Sequence, residues 1–80
     1  MREYKYTVIF EPDLEEGGWV ATVPVLGIAT QGESFEEARR MAREAITGYL
    51  QGLRDEGLAI PREPRALSQR VRTERIAVKA

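Results

Sequence analysis

The feature that most constrains the fold is a long amphipathic pattern in residues 34–57. Ser34 precedes Glu37 by three residues, which is the spacing of a capping box: the hydroxyl accepts from the Glu37 amide and the carboxylate reaches back to the Ser34 amide. Gly57 can take the left-handed conformation that ends a helix. Between these signals the apolar residues recur every three or four positions and predict one buried stripe, formed by Phe35, Ala38, Ala42, Ala45, Ile46, Tyr49, Leu50 and Leu53. The rest of the chain must therefore supply a sheet for this helix to cover.

Three short stretches before the helix predict that sheet. The first alternates with a period of two, and its core face carries Tyr4, Tyr6, Val8 and Phe10. Gly17 and Gly18 allow the positive φ angles of a hairpin reversal into a second strand at residues 19–23. A third run at residues 28–31 follows another short turn. These three strands are expected to form an antiparallel meander.

The segment after Gly57 begins as an extended connector, because Pro61 and Pro64 disfavour helix in the residues before them. Residues 65–73 show little periodicity and are interpreted as irregular or as a short helix. Residues 75–79 alternate again and are compatible with a fourth, edge strand. The predicted fold class is α+β, a three-stranded antiparallel meander with one long helix packed on one face, in the order β-β-β-α-β. We expect residues 1–60 to form the core and residues 61–80 a basic C-terminal tail.

The residue types that are missing exclude several functions. The 80 residues include no cysteine and no histidine. Disulfides, thiolate metal sites and histidine-based acid–base or nucleophilic catalysis are therefore excluded. No apolar run approaches the roughly 20 residues that cross a bilayer, and the N-terminus does not resemble a signal peptide. We expect a cytoplasmic protein that binds no cofactor.

The charges divide the chain into an acidic body and a basic tail. Residues 1–60 carry six Lys/Arg against eleven Asp/Glu, whereas residues 61–80 carry six against two. In a meander the first and third strands run in the same direction, so both end at one edge of the sheet. Two acidic groups are expected to meet at this edge: Asp13, Glu15 and Glu16 from the first loop, and Glu33, Glu36 and Glu37 from the start of the helix.

Several short motifs also occur in a fixed order. They are Tyr6-x-Val8-x-Phe10-Glu11-x-Asp13, Gly17-Gly18-Trp19-x-Ala21-x-Val23-Pro24, Leu26-Gly27, Thr30-Gln31-Gly32-Glu33-Ser34-x-Glu36-Glu37-Ala38, Ala45-Ile46-x-x-Tyr49-Leu50 and Ile60-Pro61. From residue 4 to residue 64 the chain resembles the HicB-like antitoxin family. The resemblance implies a partial ribonuclease-H-like fold and a domain that inhibits a small toxin, which cleaves messenger RNA. Many members also carry a DNA-binding domain; this chain stops at Ala80 without one, so DNA binding is not expected.

The leading hypothesis is a non-enzymatic protein-binding module that resembles a type II antitoxin. Its partner would be a small basic toxin, to which the acidic body offers electrostatic complementarity. The candidate partner-binding residues are Asp13, Glu15, Glu16 and Trp19. Trp19 directly follows two glycines, so its ring can either anchor a partner or belong to the core. No residue is assigned a catalytic or metal-binding role.

Two other functions remain open. A metal-dependent RNA nuclease would need carboxylates that converge on cations, and Asp13, Glu33 and Glu37 are the candidates. An orphan homo-oligomeric nucleic-acid-binding protein would instead use the tail, through Arg62, Arg65, Arg70, Arg72, Arg75 and Lys79. The tail has no aromatic residue for base stacking, which favours protection of a sheet edge or pairing with an acidic second subunit.

Two glycines inside the helix, Gly48 and Gly52, lie one turn apart and beside Met41. A glycine in a helix interior costs about 1 kcal/mol relative to alanine, so the pair indicates the close approach of another backbone. That backbone can be the protein's own sheet or the helix of a second subunit. A homodimer is favoured, because a chain of this size buries only about 60% of its unfolded surface.

Overall fold

The computed structural model of the protein describes residues 3–63 and 72–79. These residues form one four-stranded sheet with one helix packed on one face. The elements are, in chain order, β1 (Glu3–Pro12), β2 (Trp19–Val23), β3 (Ile28–Gly32), α1 (Phe35–Asp55) and β4 (Arg72–Lys79). The strand order is β3-β2-β1-β4, and all neighbouring strands are antiparallel. The predicted α+β fold, with its meander, covering helix and fourth edge strand, is confirmed.

The strand β4 is longer than the strand at residues 75–79 that the alternating pattern predicted. Arg72 pairs with Phe10 and Thr73 pairs with Ile9, so these two residues belong to the sheet. The interpretation of residues 65–73 as irregular or helical is wrong for Arg72 and Thr73, because the ten-residue β1 offers both of them a pairing partner. The other residues of that stretch lie outside the described residues.

The start of α1 follows the capping signal, with one difference. The Ser34 hydroxyl accepts from the Glu37 amide at 3.0 Å, as expected for an N-cap. The Glu37 carboxylate, however, accepts from the amide of Glu33 at 2.7 Å and not from that of Ser34. Glu37 therefore ties the residue before the cap to the first turn, which fixes the direction in which the chain enters the helix.

The end of α1 has the form of a Schellman motif. Gly57 has a φ of 71°, and its amide donates to the Arg54 carbonyl at 3.0 Å. The Leu58 amide donates to the Leu53 carbonyl at 2.9 Å, which closes the longer loop of the motif. The glycine at this position was therefore correctly interpreted as the helix stop.

The hydrophobic core lies between the helix and the even-numbered face of β1. The core consists of Tyr6, Val8, Phe10, Ala21, Val23, Leu26, Ala38, Ala42, Ile46, Leu50, Ile76 and Val78. Four members of the predicted helical stripe are fully buried, whereas Tyr49 is 40% exposed and lies on a flank of the helix. Since Ile76 and Val78 are core residues, β4 contributes to the same core as the meander.

The first turn of α1 is seated directly on the backbone of β3. A Cβ atom built on Gly32 would lie 2.4 Å from the Ala38 nitrogen, closer than real Cβ atoms come to other heavy atoms. Gly18, at a φ of +80°, would place a Cβ 2.4 Å from the Gly32 oxygen. By contrast, a Cβ at Gly48 or Gly52 would meet no described atom within 4 Å. One interpretation of Gly48 and Gly52 was that the helix approaches the protein's own sheet closely at these glycines. The structure shows such a close approach at Gly32 instead.

A short connector at residues 61–63 covers the half of β1 that β2 does not reach. Glu63, whose side chain is only 2% exposed, accepts from the Thr7 amide at 2.8 Å and also from the Thr7 hydroxyl. The Arg75 guanidinium lies 3.5 Å from the same carboxylate. The Tyr6 hydroxyl donates to the Pro61 carbonyl. Thr7 is the buried polar residue of β1, and the Glu63 carboxylate satisfies both of its hydrogen-bond donors.

We expect alkaline conditions to destabilise the protein partly through Tyr6. Burial raises the pKa of the Tyr6 phenol above 10.0, with Tyr4 and Glu63 adding to the effect and Arg62 opposing it. Below pH 10 the phenol is protonated in the folded and unfolded states alike. Above pH 10 the unfolded chain releases its proton first, so the free energy of unfolding falls as pH rises through the folded pKa.

The test compares urea unfolding of the wild type and Tyr6→Phe between pH 7 and pH 11. The variant should lose about 1 kcal/mol at pH 7, because the hydrogen bond to Pro61 is gone. Its stability should then decline less steeply than that of the wild type above pH 10. Equal alkaline slopes would show that Tyr6 does not contribute.

Substitution of Gly32 should destabilise the fold more than substitution of its neighbour. Gly32→Ala forces its new methyl group against the backbone of Ala38 and should cost about 1–3 kcal/mol, as overpacking typically does. Gln31→Ala changes an exposed side chain on the opposite face and should stay within about 0.5 kcal/mol. The measurement is the midpoint of urea unfolding, and a Gly32→Ala midpoint equal to that of Gln31→Ala would contradict the tight seating.

Candidate partner-binding site

An open acidic depression of about 680 Å³ lies where the loop between β1 and β2 meets the start of α1. Its lining residues are Asp13, Glu16, Gly17, Gly18, Gln31, Gly32, Glu33 and Glu37. Four of them are carboxylates from two separate parts of the chain. The expected meeting of the first loop with the start of the helix is therefore present, and we call this feature the acidic depression.

The loop side of the acidic depression is held by Asp13. Its carboxylate accepts from the amides of Glu15 at 3.0 Å and Glu16 at 3.1 Å. The Asp13 amide donates to the Gly18 carbonyl, and the Gly17 amide donates to the Asp13 carbonyl, both at 2.9 Å. These bonds form a compact reversal, with φ near +80° at both glycines.

The helix side of the acidic depression is formed by Glu33 and Glu37. Both lie at the N-terminus of α1, where the helix dipole stabilises negative charge. Glu37 is occupied by its bond to the Glu33 amide and lies 3.8 Å from Arg40. In the described part of the chain, no hydrogen bond or ion pair engages the side chains of Glu16 and Glu33. These two carboxylates are the ones that a partner can contact without breaking an internal bond.

The three candidates for a metal-dependent nuclease, Asp13, Glu33 and Glu37, all line the acidic depression. Within residues 3–63 and 72–79, no group of three or more acidic side chains is close enough together to hold a metal ion. Two of the three nuclease candidates, Asp13 and Glu37, instead accept hydrogen bonds from backbone amides of their own turns. The geometry therefore gives no support to metal-dependent RNA cleavage.

Trp19 lies at the start of β2, next to the acidic depression, and is half-buried. Its ring meets that of Phe35 edge-on at 5.5 Å, and the Phe35 ring lies 4.7 Å from that of Phe10. Trp19 thus extends an aromatic row that fixes the first turn of α1. The residue contributes to the packing of the domain and does not itself line the acidic depression.

The other predicted positions lie outside the acidic depression. Glu15 is exposed on the loop without lining it, and Glu36 faces a separate surface with Arg39, Arg40 and Arg43. Sequence reasoning did not single out Gln31 as a lining residue. The antiparallel register of β2 and β3 could have identified Gln31, because it places the last residues of β3 opposite Trp19 and Val20, next to the first loop.

The cations of the tail that the structure describes are largely engaged within the chain. The Arg62 guanidinium lies over the Tyr4 ring, 5.1 Å from its centroid, and Arg75 pairs with Glu63. Glu74 holds Arg39 at 2.6 Å, and this hydrogen bond raises the pKa of the Arg39 guanidinium. Arg65 and Arg70 lie outside the described residues, and only the backbone of Arg72 is described. The Arg62 and Arg75 guanidinium groups therefore make contacts within the domain itself.

No helix among the described residues is both long enough and apolar enough to cross a membrane.

Comparison with known proteins gives a consistent result. The family described as "HicB_like antitoxin of bacterial toxin-antitoxin system" matches the chain over residues 6–77. The UPF0150 protein ssr1765 of Synechocystis sp. is 43% identical over 61 residues, which cover 75% of this chain and 76% of that protein. The UPF0150 protein Ta0767 of Thermoplasma acidophilum is 43% identical over 60 residues, which cover 74% and 86%. A UPF0150 protein of Helicobacter pylori is 48% identical over 46 residues, or 56% and 64% of the two chains. No solved structure matches the chain, so the partial ribonuclease-H-like fold stays a prediction.

Proposed function

The chain belongs to the HicB-like antitoxin family of bacterial toxin-antitoxin systems, and from this premise we propose that it is a non-enzymatic antitoxin that binds a small basic toxin through the acidic depression. The proposed partner cleaves messenger RNA, as the resemblance to the family implies. We therefore expect the two proteins to meet in the cytoplasm, where that substrate is found.

The observation that supports this site is the pair of unengaged carboxylates. Glu16 and Glu33 lie on opposite sides of an open depression, and the bonds of Asp13 and Glu37 hold the surrounding backbone in place. A protein that binds RNA carries clustered cations for phosphate. An acidic depression of fixed shape is complementary to such a surface, steers its approach and covers the cations that the RNA would need.

Leu14 gives this surface an apolar contact. It is the most exposed large apolar residue of the described chain, at 92% exposure, and it lies at the tip of the loop that Asp13 holds. Because the loop is already ordered by internal hydrogen bonds, little conformational entropy is lost when a partner covers it. Leu14 and the half-buried Trp19 lie on the two sides of the double glycine, and both are proposed partner contacts together with Asp13, Glu15 and Glu16.

The proposal is tested with the small basic protein encoded beside this gene, produced together with the chain and then purified. The double variant Glu16→Lys/Glu33→Lys should weaken binding by about tenfold or more at low salt, chiefly through slower association. The difference should shrink near 1 M salt, where the Debye length is about 3 Å. Binding rates can be measured by surface plasmon resonance, and neutralisation by the survival of cells that express the basic protein.

The matched control is Glu44→Lys/Glu56→Lys, which makes the same change of charge on exposed positions away from the acidic depression. This control should bind nearly as fast as the wild type. If both double variants lost the same amount of binding, the effect would be due to net charge alone, and the acidic depression would not be the binding site. If the neighbouring gene encodes no small basic protein, the antitoxin role loses its partner.

A further inference from the structure

A second, smaller pocket of about 220 Å³ lies beside the half of β1 that β2 does not reach. Its lining residues come from β1, the connector and β4, and they are Glu3, Tyr4, Lys5, Tyr6, Arg62, Glu63 and Arg75. Three of these residues are cations, one from each of the three segments. The pocket lies at the opposite end of β1 from the acidic depression, and we call it the basic pocket.

Contacts within the chain position the two arginines of the basic pocket without using all of their donors. The Arg62 guanidinium lies over the Tyr4 ring, 5.1 Å from its centroid, and this cation–π contact leaves the N–H groups at the rim of the guanidinium free to donate. Arg75 approaches Glu63 through its Nε atom, at 3.5 Å, so its two terminal nitrogens are left for another partner. Within the part of the chain that the structure describes, no hydrogen bond or ion pair engages Lys5 or Arg62.

The strand register brings the lysine of the basic pocket near one of these arginines. Lys5 pairs with Ala77 and Thr7 pairs with Arg75, so Lys5 and Arg75 are diagonal neighbours on the sheet face opposite the helix. Diagonal neighbours in an antiparallel pair lie about 7–8 Å apart, a span that one ion can bridge with the help of two long side chains. Ala77, directly opposite Lys5, has too short a side chain to fill the space between the two cations.

The two carboxylates of the basic pocket do not cancel its positive charge. The Glu63 side chain is 2% exposed, and both of its oxygens are occupied by the hydrogen bonds and the ion pair described above. Glu3 lies directly opposite Lys79 in the register, so the charges of this cross-strand pair offset each other. An anion can therefore accept from the three cations without displacing an internal bond.

We propose that the basic pocket binds a small phosphate anion, either free phosphate or the phosphate group of a phosphomonoester. A phosphate presents oxygens in several directions and can accept from Lys5, Arg62 and Arg75 together, whereas a single guanidinium fork already satisfies the two oxygens of a planar carboxylate. The volume of about 220 Å³ also suits a small anion, because it is below the roughly 300–1,000 Å³ of pockets that enclose drug-sized ligands. The proposal does not depend on the antitoxin role.

The charge of the whole chain favours a small phosphate anion over a nucleic-acid strand. A nucleic acid is bound through many phosphates, each of which is neutralised by a cation. Residues 1–60 carry eleven Asp/Glu against six Lys/Arg, so a long polyanion is repelled by most of the surface that it would cross. A single phosphate meets only the local excess of cations in the basic pocket.

The test follows the backbone amides of the full chain by NMR during titration with inorganic phosphate and, separately, with glycerol phosphate, at constant ionic strength. The shifts should saturate and should be confined to the residues that line the basic pocket. Lys5→Gln and Arg62→Gln should each weaken binding by about fivefold or more, and because both side chains are exposed, both variants should stay folded. Arg75 is kept, since it also pairs with the buried Glu63. Binding of both probes would identify free phosphate as a sufficient ligand, and binding of glycerol phosphate alone would identify the ester.

The matched control is Arg54→Gln, which removes the same charge from an exposed arginine of α1 that does not line the basic pocket. This variant should bind both probes as the wild type does. The absence of a saturable shift with either probe, or equal weakening in Arg54→Gln and Arg62→Gln, would overturn the proposal. So would a single-stranded RNA that binds more tightly than glycerol phosphate and loses affinity in Arg62→Gln, since the pocket would then belong to a nucleic-acid surface.

Discussion

The contact between Gly32 and Ala38 is the constraint on which the rest of the structure depends. Because the backbone of β3 at Gly32 lies too close to the first turn of α1 to leave room for a Cβ atom, the start of the helix is held in one position on the sheet. That position brings Phe35 against Phe10 and Trp19, and it aligns the buried stripe with the even-numbered face of β1. The acidic depression is a consequence of the same contact, since the helix brings Glu33 and Glu37 to the loop that carries Asp13.

Most of the fold could be predicted from local patterns, because each element carries its own signal. The alternation at Tyr6, Val8 and Phe10, and the helix signals at Ser34 and Gly57, depend on neighbours in the sequence. Glu63 could not be predicted in this way. Its partner Thr7 is 56 residues away in the sequence. Glutamate is a polar residue, so Glu63 would be expected in a solvent-exposed connector unless one knew that half of β1 has no partner strand on that side.

The candidate site was predictable in its charge but not in its internal bonding. Strand direction alone indicated that two acidic groups meet at one edge. Whether a carboxylate is free to contact a partner depends on whether a backbone amide of the same chain lies within hydrogen-bond distance of it, and the sequence does not give such distances. The same limit applies to the helix glycines, since the sequence shows that Gly48 and Gly52 lack side chains but not that the space beside them is open.

The pairing of β1 with β4 also affects the order in which the domain can form. It joins the two ends of the chain, from Glu3 beside Lys79 to Phe10 beside Arg72. A nascent chain can build the meander and the helix early, but β1 finds its longest neighbour only after residue 79 has been translated. Since contacts between distant residues slow folding, closure of this sheet is expected to come last. Until β4 pairs, the apolar face of β1 lacks its neighbours Ile76 and Val78, and the backbone amides and carbonyls along that edge of β1 are open to pairing with other strands.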